Sequence, residues 1–215
     1  MIKIITSILF FLFFLESFSQ NVLISTTKGN ITIKLYDDVP MHQENFLELV
    51  SKHFYDSLLF HRVINDFMIQ AGDPDSKYAS PGQLLGGGDV KYTIPAEIRK
   101  EYYHKKGAVA AARLSDNINP EKASSGCQFY IVKGKTYTDQ ELDYLEKNGI
   151  HIIFTEEQRN VYKSLGGSPH LDYSYTVFGE VIEGLPILDK ISIVETDRNN
   201  RPLTDIRIKS ISILY

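Results

Sequence analysis

The sequence predicts a mainly β protein: a closed antiparallel β-barrel of about eight strands, with flanking helices and a two-helix insertion. Two features predict the barrel. Short apolar or alternating runs recur along the chain between turn-forming residues, and most of them are too brief for helices. Many short strands avoid exposed edges most simply when their sheet closes on itself. Two helix-start signals between residues 133 and 170 predict the insertion.

The N-terminal residues 1–19 differ from the rest of the chain. Lys3 supplies a positive charge, residues 4–15 are almost wholly apolar, and small residues end at Ser19. This is the pattern of a secretory signal peptide, and the apolar run is shorter than the roughly 20 residues of a membrane-spanning helix. We therefore expect cleavage after Ser19 and export, to the periplasm, of a single domain over residues 20–215. An uncleaved anchor formed by residues 4–15 is the alternative.

Composition argues against several classes of function. The 23 Lys and Arg residues are scattered among 27 Asp and Glu residues, and the net charge is −4, so no nucleic-acid partner is expected. The six histidines never form a metal-binding motif, so we expect neither metal nor cofactor. Cys127 is the single cysteine, which excludes an internal disulfide. A monomer is expected.

The first elements are a hairpin and a helix. Residues 21–36 alternate between apolar and polar on either side of a turn at residues 28–30, which is typical of a β-hairpin. Pro40 suits the first turn of a helix, and apolar residues from Phe46 to Phe54 recur at helical spacing. One amphipathic helix is therefore expected after the hairpin.

Short strands are predicted over most of the remaining chain. Residues 73–89 are rich in Gly, Pro and Ser and predict an ordered loop. The strands are expected at residues 60–63, 67–71, 108–112, 128–132, 176–181 and 206–214.

The predicted insertion has two capped helices. A Thr-x-x-Glu/Gln capping box begins at Thr138 and another at Thr155, and glycines at Gly149 and Gly166 follow as helix ends. Each helix carries one modest apolar stripe, so both can pack on the barrel. A partner or client contact and a passive decoration are equally compatible with this pattern.

One segment carries a family resemblance. Residues 60–73, with the sequence FHRVINDFMIQAGD, closely resemble the signature of cyclophilin-type peptidyl-prolyl cis-trans isomerases. Residues 128–131 (QFYI), Leu171 with Asp172, and residues 177–179 (VFG) follow in the family's order. The resemblance covers about residues 22–132 and 171–215 and implies the cyclophilin-like barrel.

The chemistry of isomerisation explains why an arginine is needed. The barrier to amide rotation, about 18–20 kcal/mol, arises from the double-bond character of the C–N bond. A cation that donates a hydrogen bond to the prolyl nitrogen in the twisted state draws its lone pair out of resonance. Arg62 stays protonated at any working pH, so it is the predicted catalytic residue.

The resemblance also implies the other site residues. Gln70 is expected to orient Arg62 and the substrate. The expected substrate-binding residues are Phe67, Met68, Ala112, Arg113, Gln128, Tyr130, Leu171 and Tyr175. Together they imply a cofactor-free isomerase that acts on proline-containing segments of unfolded or exported proteins.

Three positions depart from the usual family pattern. His170 stands where many members carry a tryptophan that contacts substrate and cyclosporin, which puts drug sensitivity in doubt. Tyr175 replaces a common histidine and Arg113 a frequent asparagine. Two other functions stay open: a non-catalytic peptide-binding module or holdase chaperone that uses the same groove, and a thiol hydrolase based on Cys127, whose position favours a small buried apolar residue instead.

Overall fold

A computed structural model describes residues 20–148 and 153–215 of the chain. The predicted signal peptide and the helix end at Gly149 lie outside these residues. The described strands are β1 (Asn21–Thr26), β2 (Gly29–Leu35), β3 (Arg62–Ile64), β4 (Met68–Ala71), β5 (Thr93–Ile94), β6 (Ala108–Ala111), β7 (Ser124–Ser125), β8 (Phe129–Val132), β9 (Val177–Glu183) and β10 (Ile208–Leu214). The α-helices are α1 (Pro40–Ser51), α2 (Asp139–Asn148), α3 (Glu156–Ser164) and α4 (Leu185–Ser192).

Eight of these strands form one antiparallel sheet. Its order is β10-β1-β2-β9-β6-β8-β4-β3, and β5 pairs separately with β7. The predicted hairpin and the later strands are confirmed to within one or two residues at their ends, and the predicted helix is confirmed as α1, which ends three residues before Phe54. The loop at residues 73–89 is confirmed too, with one turn of 3-10 helix at Pro74–Ser76.

The sheet curls into a barrel that is not fully closed. Its edge strands, β3 and β10, are not paired with each other in the described part of the chain. The segment before β3 contacts the start of β10: Leu59 forms a bridge with Arg207, the Phe60 N–H donates to the Ile206 carbonyl at 2.9 Å, and the Ile208 N–H donates to the Leu58 carbonyl at 2.8 Å. At β3 itself, the Val63 N–H donates instead to the Asn200 carbonyl of a loop. The predicted full closure is therefore not reached, since a loop and not β10 accepts this β3 hydrogen bond.

Helix α1 packs one side against the main core of the barrel. Its Phe46 ring lies 5.1–5.5 Å from the rings of Tyr55, Phe129 and Phe178, with tilted or edge-on geometry. Pro40 occupies the first turn, as predicted. The aromatic rings therefore join α1, β8 and β9 in one core.

The sequence analysis missed α4. Gly184 precedes it with a φ of 95°, a left-handed conformation that suits glycine, and a proline follows in the first turn. Leu188 and Ile191, three residues apart, are fully buried. Pro186 and the apolar spacing are signals of a helix, but the sequence analysis assigns no element to this segment.

Helices α2 and α3 confirm the two predicted capping boxes. The Thr155 hydroxyl accepts a hydrogen bond from the Gln158 backbone N–H, and the Gln158 side chain accepts one from the Thr155 backbone N–H. The pair at Thr138 and Glu141 is equivalent. Both helices share a small core of their own, formed by Leu142, Phe154 and Tyr162. None of the helices in residues 20–148 and 153–215 has the length and apolarity that crossing a membrane requires.

The position of Phe46 predicts a large effect on stability. Phe46→Ala removes a ring that is 2% exposed and leaves a cavity among three aromatic rings. We expect a loss of about 3–5 kcal/mol in the free energy of unfolding, measured by urea denaturation. Met41→Ala is the control, because Met41 lies on the same helix with 42% of its surface exposed. Similar losses in both variants would contradict the placement of α1.

Candidate active site

Strand register separates the candidate site from the barrel core. Arg62 in β3 lies opposite Gln70 in β4, and Gln70 lies opposite Tyr130 in β8. Side chains alternate between the two faces of a strand, so these three share one face. Their neighbours Val63 and Ile69 point into the main core instead. The site therefore lies on the face of the sheet that does not line the barrel interior.

A small cavity of about 110 Å³ lies on this face. Nine of the ten predicted site residues line it, and these are Arg62, Phe67, Met68, Gln70, Ala112, Arg113, Tyr130, Leu171 and Tyr175. A larger groove of about 940 Å³ lies beside α3, but none of the predicted site residues lines it. We take the smaller cavity as the candidate site because the arginine and the apolar residues of the signature meet there.

Arg62 is half-buried at the rim of this cavity. Its Nη1 donates to the Gln70 Oε1 at 3.3 Å and lies 4.0 Å from the Met68 Sδ. The guanidinium carbon is 5.9 Å from the centre of the Phe67 ring. Burial lowers the pKa of the guanidinium, yet arginine remains charged in proteins. Within the described residues the Arg62 guanidinium makes no other hydrogen bond, so most of its N–H donors stay available.

A chain of amides fixes the orientation of Gln70. Its Nε2 donates to the Gln128 Oε1 at 2.9 Å. The Gln128 Nε2 in turn donates to the carbonyls of Gly86 and Gly88, at 3.1 and 2.8 Å. Because each amide nitrogen donates, the Gln70 oxygen must face Arg62. Gln128 thus supports the arginine and lines a neighbouring groove of about 450 Å³ rather than the small cavity.

Asp73 holds the glycine loop that receives Gln128. Its carboxylate accepts hydrogen bonds from the backbone N–H groups of Gly86 and Asp75. A Cβ atom at Gly88 would lie 2.0 Å from the Asp73 Oδ1, so only glycine fits there. This contact gives the glycine loop a structural role, as the sequence had suggested.

The pocket floor includes a hydrogen bond that sequence reasoning missed. The Tyr130 hydroxyl lies 2.9 Å from the Nε2 of His104, whose Nδ1 lies 2.9 Å from the Asp172 Oδ1. All three side chains are buried. His104 and Asp172 are far apart in the sequence, and His104 belongs to none of the motifs that carry the resemblance, so only the three-dimensional structure shows that they meet.

Two of the unusual residues pair at the rim. The Arg113 guanidinium lies 4.4 Å from the centre of the Tyr175 ring, and its Nε donates to the Ser174 carbonyl at 2.7 Å. The ring of His170 lies 5.4 Å from that of Phe67. Burial lowers the pKa of His170, which favours the neutral ring. The rim therefore consists of flat side chains in contact with one another.

Cys127 does not resemble a nucleophile. The side chain belongs to the main core, and burial raises the pKa of its thiol to about 11. A thiol needs its deprotonated form to attack a substrate. This environment favours the expected packing role over the hydrolase alternative.

His61, beside Arg62, is neutral and buried. Burial lowers the pKa of its imidazole to about 4, although the nearby Asp73 carboxylate acts in the opposite direction. Neither ring nitrogen has a hydrogen-bond partner among the described residues. Protonation of the His61 imidazole therefore lowers the free energy of unfolding.

His61 predicts a dependence of stability on pH. Its pKa is about 4 in the folded protein but about 6.5 in an unfolded chain, so the unfolded state binds more protons between these values. The stability that neutral His61 contributes is fully present above about pH 6.5 and is lost as the pH falls through 4. From pH 7 to pH 4, the parent should lose about 3 kcal/mol more unfolding free energy than His61→Gln. Parallel pH curves for the two proteins, measured by urea denaturation, would refute this.

Comparisons with known proteins agree with this site. A family model described as cyclophilin type peptidyl-prolyl cis-trans isomerase/CLD matches residues 21–213. Two relatives assigned as peptidyl-prolyl cis-trans isomerases, from Staphylococcus haemolyticus and Staphylococcus epidermidis, are each 34% identical over 193 residues. These matches cover 89% of this chain and 90% of each relative.

Solved structures show the same fold. A cyclophilin type peptidyl-prolyl cis-trans isomerase from Cryptosporidium parvum has a TM-score of 0.66 at 24% identity and covers 92% of this chain and 99% of its own. A structure of that protein in the presence of the dipeptide Ala-Pro has a TM-score of 0.65 at 25% identity, with 91% and 99% coverage. The barrel and its flanking helices are therefore shared with solved members of this family.

Proposed function

Because this chain belongs to the cyclophilin-type peptidyl-prolyl cis-trans isomerases, we propose that it isomerises X-Pro bonds in proteins exported from the cytoplasm, as a cofactor-free monomer. The enzyme class follows from the family and from the relatives' assigned activity. The observation that carries the site assignment is the position of Arg62. Its guanidinium is a cation at the rim of an apolar cavity. It donates to the neutral Gln70 amide, and its other N–H donors stay available to a substrate.

Arg62 acts on the prolyl nitrogen in this mechanism. As the amide twists, its nitrogen lone pair leaves conjugation and becomes a hydrogen-bond acceptor. The guanidinium donates to it in that state and not in the planar ground state, so the contact lowers the barrier rather than merely tightening binding. Gln70 fixes the direction of the donor, because its own orientation is set by Gln128.

The cavity supplies the rest of the rate enhancement. An acceleration of about 10⁵-fold needs roughly 7 kcal/mol of preferential binding to the twisted state, more than one hydrogen bond provides. Phe67, Met68, Tyr130 and Leu171 form apolar walls that can seat the proline ring and exclude water. The Cryptosporidium parvum relative was solved in the presence of Ala-Pro, which supports a proline-containing peptide as the ligand here.

A non-catalytic binding module is the second candidate. It would use the same cavity and the neighbouring groove to hold an extended client without turnover. The ordered series from Arg62 through Gln70 and Gln128 to the glycine loop argues for catalysis, because a pure binder has no need to orient one guanidinium.

Arg62→Ala separates the two candidates. We expect it to abolish the enhanced cis-trans exchange of a short X-Pro peptide, measured by NMR exchange spectroscopy on residues 20–215. Peptide affinity should stay within about tenfold, because the lost bond acts mainly in the twisted state. Arg198→Ala is the matched control, since Arg198 is exposed and the same charge is removed.

The measured exchange rate and peptide affinity together decide between catalysis and binding alone. Loss of exchange with retained binding, and full activity in Arg198→Ala, would assign Arg62 to the chemistry. An active Arg62→Ala protein would refute that role. A folded parent that binds the peptide without any enhancement would favour the binding module.

Export is supported by the pattern of residues 1–19 alone. We expect the full chain, expressed with a C-terminal tag in a Gram-negative host, to accumulate in the periplasmic fraction with Gln20 as its first residue. N-terminal sequencing of that fraction measures this. Retention of Lys3 in a membrane fraction would instead establish the anchored form, and an intact cytoplasmic protein would refute export.

A further inference from the structure

A chain of four buried polar groups links α3 to the pocket floor. The Tyr162 hydroxyl in α3 donates to the Asp172 Oδ2 at 2.6 Å. The Asp172 Oδ1 lies 2.9 Å from the His104 Nδ1, and the His104 Nε2 lies 2.9 Å from the Tyr130 hydroxyl. None of the four residues is more than 4% exposed. We call this series the Tyr162 relay.

The carboxylate at the centre of the relay fixes the direction of three bonds. A carboxylate oxygen accepts hydrogen bonds, so the Asp172 oxygens receive the Tyr162 O–H, the His104 Nδ1–H and the His104 backbone N–H. The remaining bond joins the His104 Nε2 and the Tyr130 hydroxyl at 2.9 Å. Each hydrogen bond thus sets the orientation of the next group along the relay.

Packing in the two-helix segment fixes one end of the relay. The Tyr162 ring lies in the small core with Leu142 and Phe154, 5.6 Å from the Phe154 ring. The base of the segment is held beside His104, whose carbonyl accepts the Ser168 N–H at 2.7 Å. A Cβ atom at Gly167 would lie 2.3 Å from the same carbonyl, so the backbones are in direct contact.

The other end of the relay reaches the candidate active site twice. Tyr130 lines the small cavity, and Leu171, the residue before Asp172, lines it as well. A change in the position of Asp172 therefore acts on Tyr130 through His104 and on Leu171 through the adjoining backbone.

We propose that Tyr162 is a positioning residue for the isomerase site, so that the two-helix segment sets the geometry of the proline pocket through the Tyr162 relay. The proposal rests on the isomerase function described above. Without the Tyr162 hydroxyl, the Asp172 Oδ2 has no other partner among the described residues. A buried carboxylate oxygen without a donor is unfavourable, so the side chain must rotate or admit water.

Tyr162→Phe tests the proposal with the loss of one oxygen atom. We expect the rate of X-Pro exchange at saturating peptide to fall about 2- to 30-fold, the range of couplings transmitted through packed networks. The matched control is Tyr137→Phe. The Tyr137 ring lies 6.3 Å from that of Tyr162, and its hydroxyl makes no hydrogen bond within the described residues. Both variants are assayed at a temperature where near-UV circular dichroism shows them folded.

Two further readouts distinguish the relay from a general loss of structure. The imidazole ¹⁵N shifts of His104 should change in Tyr162→Phe and stay the same in Tyr137→Phe. In a Tyr130→Phe background, Tyr162→Phe should cause less than its usual loss of rate, because the relay has already lost its pocket end. Should Tyr162→Phe not fold, Leu142→Ala moves Tyr162 by packing alone, and the rate should fall at least twofold.

Three results would overturn the proposal: equal rates for Tyr162→Phe and Tyr137→Phe, additive effects with Tyr130→Phe, or the parent rate in a folded Leu142→Ala protein. The His104 signal needs no turnover. A parent without activity would therefore refute the isomerase function, whereas an unchanged His104 signal in Tyr162→Phe would refute the relay itself.

Discussion

The pairing register of β3, β4 and β8 is the constraint on which the site depends. It places Arg62, Gln70 and Tyr130 side by side on one face of the sheet while their neighbours fill the barrel. A shift of one residue in β3 would turn the Arg62 guanidinium toward the core, and the same shift in β4 or β8 would turn Gln70 or Tyr130 away from the site. The packing of the barrel therefore sets the geometry of the proposed catalytic groups, since the apolar residues between them belong to its core.

Hydrogen bonds between polar side chains then fix the orientation of the Arg62 guanidinium, which the strand register alone does not set. A guanidinium on a strand has several rotamers, and only its bond to the Gln70 oxygen selects one. The Gln70 oxygen faces Arg62 because the Gln70 amide nitrogen donates to Gln128. The Gln128 amide nitrogen donates in turn to the glycine loop, which Asp73 holds. The series ends on backbone carbonyls, which cannot rotate. The orientation of Arg62 is thus tied to the main chain through two neutral side chains, and it does not depend on an opposing charge that would weaken its pull on the prolyl nitrogen.

Local sequence signals predicted the elements whose stability is local. The hairpin, α1 and the capping boxes at Thr138 and Thr155 follow from alternation, proline position and side-chain caps. The site cavity was predicted from a motif, because nine of its residues follow family spacing. The relay was not, since Asp172 meets His104 and Tyr162 only after distant segments pack. Incomplete closure of the barrel is a similar case, because the Val63 N–H of β3 donates to Asn200, a loop residue far away in the sequence.

The two-helix segment is better described as part of the enzyme than as an addition to it. A passive insertion would need only to bury its own apolar stripe, and the core around Leu142 and Phe154 does so. Tyr162 does something that this core does not require: it directs a hydroxyl out of the segment and into a buried carboxylate. Placing a carboxylate in an apolar interior is costly unless its oxygens are bonded. The barrel's Asp172 thus receives one of its hydrogen bonds from the segment, which ties α3 to a residue beside the pocket.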